Sequence, residues 1–142
     1  MAMLFDLSTK VAILMGASKG IGLAMATPLA QHGATVVISA RKEEQLNIAV
    51  IEIDAVCGTN RAIAVPANTG NKEDLENLVQ TTHRSAGSID IVIGNACVNP
   101  YYGPTSQISD AAYEKTMATN VQSNLWLAQL TIADMVAKGN VS

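Results

Sequence analysis

The chain has 142 residues, 49% hydrophobic and 15% charged, with a formal net charge of −3, enough for one domain with a substantial core. The weak acidity leaves no basic footprint for nucleic acid or an anionic membrane surface, and no apolar run approaches the roughly 18 residues of a membrane span. The amino-terminal "MAMLFDLSTK" lacks the basic start, apolar stretch and cleavage site of a secretory leader, so a cytoplasmic protein is expected.

The elements alternate strand and helix, without repeats or low-complexity linkers. "KVAILM" (10–15) is a continuous apolar run, as in a strand buried on both faces. "GIGLAMATPLAQH" (20–32) has helical apolar spacing and stops at Gly33. Pro28 falls inside it and removes a backbone donor, which predicts a kink or local irregularity near Ala24–Pro28. "ATVVISA" (34–40) reads as a second strand, and "KEEQLNIAVIEIDAVC" (42–57) as a second helix closed by Gly58. "RAIAVPA" (61–67) is a third strand. "NKEDLENLVQTTHRSA" (71–86) is an amphipathic helix with acidic residues in its first turn, where the helix dipole favours them. "SIDIVIGNA" (88–96) is a fourth strand, and "NPYYGPTS" (99–106) a loop with two prolines and a glycine. One long helix is predicted from about Ser109 to Lys138, stopped by Gly139.

This alternation predicts an α/β fold, a Rossmann-type, doubly wound parallel sheet with helices on both faces. Right-handed crossovers lead to the spatial order 3-2-1-4. Ligands in such sheets bind at the carboxyl ends of the strands, where the strand order reverses. Cys57 and Cys97 are far apart and read as two unpaired thiols in a reducing compartment. Cys97 reads as a packed, inert residue. His32 and His83 stand alone, without metal-ligand spacing, and read as helix-surface residues; no metal is expected.

The stretch that carries chemistry is "MGASKGIG" (15–22), placed after the first strand and before the first helix. Gly16 lets the chain leave the strand at a tight angle. Gly20 has no side chain to block an anion from the helix start, and Gly22 allows close helix packing. The helix start then offers free N–H groups and a positive dipole end, and Ser18 adds a hydroxyl donor. The spacing is neither Gly-x-Gly-x-x-Gly nor the Gly-Lys-Ser/Thr ending of a nucleoside triphosphatase loop. A phosphate-containing ligand is expected here. An acidic residue near the end of strand 2, roughly 20 residues beyond the glycines, would select the ribose 2′-hydroxyl of NAD. Ala40 stands at that place, followed by Arg41, with Lys19 in the glycine turn. Two cations and no carboxylate predict NADP(H) over NAD(H).

"MGASKGIG", "GNAC" (94–97) and "TNVQSNLWLAQ" (119–129), in this order and spacing, resemble the short-chain dehydrogenase/reductase family. The resemblance covers the chain from "LSTKVAIL" to "MVAKGN", and "NACVNPYYGP" resembles a subgroup of carbonyl and alcohol reductases within that family. It implies a nicotinamide cofactor whose pyrophosphate and adenosine ribose lie along Gly16, Ser18, Lys19, Gly20, Ile21 and Gly22. Asn68 and Thr69 match the family's Asp-Val pair at the adenine. Asn95 and Ala96 match the segment beside the adenosine ribose and strand 4. Asn120 matches the family's structural and catalytic Asn, which holds a water in the proton relay. Met15, Gly94, Cys97 and Asn68 depart from the family's Thr, Asn, Gly and Asp.

The family's catalytic Ser and Tyr-x-x-x-Lys have no match. Four residues beyond Tyr101, Tyr102 and Tyr113 stand Thr105, Ser106 and Met117. Ser142 would only open the family's fifth strand. The chain, residues 1–142, is therefore expected to be the dinucleotide-binding half of such a domain, with the catalytic half absent. Three readings stay open. One is an NADP(H)-dependent oxidoreductase of carbonyls or alcohols, inactive as this half alone. Another is a non-catalytic NADP(H)-binding module or pseudoenzyme. The third is a fragment that acts through association. The apolar run "LWLAQLTIADMVA" (125–137) and the open edge of strand 4 predict association, and the resemblance implies a homo-oligomer through helix 109–138. Tyr101 and Tyr102 border the expected substrate cleft or pack under their loop.

Overall fold

The first strand, β1 (Val11–Met15), alternates its side chains between two apolar layers, and that alternation organises the fold. In the computed structural model, which describes residues 4–58 and 60–139, every residue of β1 is buried. Val11, Ile13 and Met15 face one layer, and Ala12 and Leu14 the other. Three further strands run parallel to it: β2 (Thr35–Ser39), β3 (Ala62–Ala64) and β4 (Ile91–Gly94). The order is β3-β2-β1-β4, as the crossover rule predicts. Ile13 pairs with Val37 of β2 on one side and Val92 of β4 on the other.

Helices α1 (Gly20–Gln31) and α2 (Glu43–Cys57) cover one face. Their core includes Ala26, Ala30, Leu46 and Ile53 against Leu14, Val36 and Ile38. Helices α3 (Lys72–Ser85) and α5 (Ser123–Lys138) cover the other, where Leu75, Leu78, Leu127 and Met135 pack on Ile13 and Val37. Asn71 caps α3 by accepting the Glu73 N–H at 2.9 Å. Gly58 and Gly139, at φ 67° and 74°, end α2 and α5 in the left-handed conformation.

Several expectations change. The outer strands are shorter than the apolar runs 61–67 and 88–96, because pairing, not hydrophobicity, sets their ends. Helix α1 continues through Pro28 without a break; the irregularity reduces to the bond that residue cannot donate. The long helix 109–138 is not one element. It divides into α4 (Asp110–Met117), a π-helical segment Ala118–Gln122, and α5. His83 bonds Asp134 at 2.7 Å, and His32 sits at the α1 terminus against Phe5. Ser142 and the first three residues lie outside the described residues.

Asp90, 2% exposed, anchors the end of the sheet opposite the glycine turn. It accepts the Val11 N–H at 2.9 Å and the Lys138 ammonium at 2.8 Å, with Lys10 at 3.4 Å. Burial pushes its pKa up, but the Lys138 bond, the Val11 N–H and both lysine charges outweigh burial and hold the carboxyl below its ordinary value.

Candidate functional site

A groove of about 560 Å³ opens at the carboxyl ends of the strands. Four segments wall it: the turn after β1, residues 40–42 with Gln45 after β2, residues 67–69 after β3, and residues 95–98 after β4. Lys115 of α4 and Thr119 of the π-helical segment complete it. The β1 turn lies at its centre, where the strand order reverses.

The turn needs its glycines. Gly16 has φ 71°, and a Cβ there would stand 2.8 Å from the Ala96 Cα. A Cβ on Gly22 would overlap the Gly16 carbonyl and approach the Asn95 Nδ2 at 2.8 Å. Asn95 locks this approach by donating from Nδ2 to the Gly16 carbonyl at 2.9 Å. Gly20, at φ 59°, faces open space. No side chain caps α1, and no acidic residue stands in its first turn. Its first N–H groups, which like those of any helix start have no intrahelical acceptor, thus have no capping side chain either, and this end of the helix borders the groove. Helices α3 and α4, by contrast, carry both a side-chain cap and first-turn acids.

Charge is segregated toward the groove. Lys19, Arg41, Lys42 and Lys115 line it, four of the nine Lys and Arg residues of the chain, and no Asp or Glu does. Among the described residues none of these four enters an ion pair. In a chain of net charge −3, the groove thus carries a locally cationic lining. At the β3 end, Asn68 Oδ1 accepts the Gly70 N–H at 3.1 Å and the Asn68 N–H donates to Asp74 at 2.7 Å. Asn68 is thereby fixed at the groove wall beside Thr69.

Of the residues singled out in the sequence, Gly16, Ser18, Lys19, Gly20, Ile21, Arg41, Asn68, Thr69, Asn95 and Ala96 come together on this groove. Gly22 and Asn120 do not line it. Gly22 is buried under the turn. Asn120 turns its amide onto the Val98 backbone, accepting its N–H at 2.8 Å and donating to its carbonyl at 2.9 Å. Cys97, read as packed, is exposed and lines the groove. Tyr101 donates to the Pro104 carbonyl at 3.0 Å and folds over its own loop, while Tyr102 is 97% exposed. Lys42, Gln45, Lys115 and Thr119 were not singled out. Lys115 and Thr119 lie one helical turn apart ahead of Asn120, a spacing that could have found them.

A groove at the strand-order reversal and a glycine turn against an uncapped helix place this chain among doubly wound, Rossmann-like α/β folds. A family model for short chain dehydrogenase matches residues 10–141. The chain belongs to the short-chain dehydrogenase family. It is 36% identical over 140 residues to rabbit (Oryctolagus cuniculus) dehydrogenase/reductase SDR family member 4, covering 96% of this chain and 52% of that protein. It is 36% identical over 126 residues to human mitochondrial dehydrogenase/reductase SDR family member 2, covering 87% of this chain and 44% of that protein. The chain thus spans about half the length of these curated relatives. Among solved structures, it resembles L-sorbose reductase from Gluconobacter frateurii complexed with NADPH and L-sorbose, with TM-score 0.89 and 28% identity over 96% of this chain and 51% of the other. A metagenomic short-chain oxidoreductase in complex with NADP aligns with TM-score 0.87 and 28% identity over 95% of this chain and 60% of the other. No described helix is long and apolar enough to cross a membrane.

Proposed function

We propose that the groove binds NADP(H) and that the chain supplies the cofactor-binding half of a carbonyl or alcohol oxidoreductase. The observation that carries this reading is the unpaired cationic lining around a glycine turn open to an anion. The residues fit the group. Gly16, Ser18, Gly20 and Ile21 hold the pyrophosphate against the start of α1, with Gly22 keeping the helix close. Arg41 and Lys19 take the 2′-phosphate, since no carboxylate at that end of the groove repels it. Asn68 and Thr69 border the adenine, and Asn95 and Ala96 the adenosine ribose. When bound, the nicotinamide supplies the hydride acceptor or donor. The proton-transferring group is not among these residues. Asn120 acts from behind the wall, as a support for Val98.

We further propose a homo-oligomer through the region 109–138, that is, α4, the π-helical segment and α5. Val121, Leu125, Ile132 and Val136 expose apolar surface there, and among the described residues no strand pairs with the outer edge of β4. The substrate is a small carbonyl or alcohol, and the place is the cytoplasm.

The test is titration of the purified chain with NADPH, followed by NADPH oxidation assays with a panel of aldehydes and ketones. Saturable binding without turnover is expected for this chain alone. Turnover would place the missing acid–base group within these residues, and absence of binding, with a defined oligomer, would favour the association reading.

A further inference from the structure

We propose that Asn124 is the positioning residue for the groove wall after β4, and that Gly94 is the space that admits it. In the π-helical segment, the shift to i→i+5 bonding disturbs the ordinary pairing of backbone carbonyls. Two side chains one turn on take up such carbonyls. Ser123 Oγ donates to the Thr119 carbonyl at 2.5 Å, and Asn124 Nδ2 donates to the Asn120 carbonyl at 2.8 Å. Asn120, so held, grips the Val98 N–H and carbonyl. Val98 and Cys97 face the groove on its β4 side, across from Arg41 and Asn68. The contacts therefore run from Asn124 through Asn120 to the wall.

Gly94, the last residue of β4, completes the unit. A Cβ on it would overlap Asn124 Oδ1 and lie 2.9 Å from its Cγ. Any side chain at 94 turns the Asn124 amide off the Asn120 carbonyl. The departure noted at Gly94 thus has a physical partner: the helix supplies the amide and the strand supplies the space. Asn124 is half-buried, so truncating it opens no core cavity.

The experiment is a cycle of Gly94→Ala, Asn124→Ala and the double variant, read by amide hydrogen exchange at Val98, which needs no ligand. Each single variant is expected to speed Val98 exchange about fivefold, the worth of one hydrogen bond, and the double no more than either single. The Val11 amide, bonded to Asp90, stays unchanged. Asn124→Asp keeps the shape without the donor and should match Asn124→Ala. Unaltered Val98 exchange in Asn124→Ala, protection retained in Asn124→Asp, or single effects that multiply in the double would overturn the proposal. The role in ligand binding rests on the NADP(H) reading. There, because Asn120 bonds Val98 and not the Asn95–Ala96 segment assigned to the adenosine ribose, Asn124→Ala should weaken NADPH about fivefold and leave adenosine 2′,5′-bisphosphate within about twofold. Equal losses for both ligands would mark general destabilisation and overturn a positioning role. If the unaltered chain binds neither ligand, the cofactor reading fails, while the exchange cycle still decides the role of Asn124.

Discussion

Replacing Asp90 by Asn tests the physical account of the sheet at a single carboxylate. Asn keeps the shape and an acceptor for the Val11 N–H, but removes the charge that Lys138 and Lys10 share. Breaking a fully buried pair costs about 3–5 kcal/mol. Here the lysine side chains remain 31% and 35% exposed, so water takes over part of their solvation. The charge-assisted bond to Lys138 then sets the scale, and we expect a loss of about 2 kcal/mol. For a domain of this size that lowers Tm by about 4–8 °C. The pH dependence follows from the lowered pKa of Asp90. A carboxylate depressed in the folded state contributes stability that is full above its unfolded value of about 3.9 and is lost as pH falls through the folded value. The gap between the unaltered chain and Asp90→Asn should be complete at neutral pH and close below about pH 4. Urea unfolding followed by the fluorescence of Trp126, the single tryptophan, which packs against the α3/α5 core, measures it. Equal stabilities at neutral pH, or a gap that does not change with pH, would refute the reasoning.

Gly22→Ala drives a Cβ into the Gly16 carbonyl and should lower stability by about 1–3 kcal/mol, with loss of NADPH binding; thermal melts and titration read both. Asn71→Ala removes the α3 cap and should cost about 1 kcal/mol, seen as a modest drop in the urea midpoint. Because four cations line the groove, NADPH affinity should fall by about tenfold between low and high salt. A salt-independent affinity would argue against phosphate recognition by these side chains.

The central layers of this fold are legible in the sequence because each obeys one local rule. β1 is an uninterrupted apolar run, and it is buried throughout. The signals at Gly58 and Gly139 are local, and each ends a helix where expected. The glycine turn is legible for the same reason, since φ and close approach act within a few residues. What the sequence conceals depends on distant partners. Asp90 looks like one polar position in an apolar strand, and its role appears only when residues 11 and 138 meet it. The π-helical segment is too short to mark the hydrophobic periodicity, and the donation of Ser123 and Asn124 to the Thr119 and Asn120 carbonyls appears only in the structure. Asn120 matches a catalytic position by motif, and the motif does not reveal that its side chain also bonds both backbone groups of Val98.

The most direct test of the central claim is the ratio of NADPH to NADH affinity, measured by titration of the chain and of Arg41→Asp. We predict tighter NADPH binding in the unaltered chain, and a ratio that collapses or reverses when a carboxylate stands at 41. Equal affinities for the two cofactors, with a ratio unmoved by Arg41→Asp, would contradict the account.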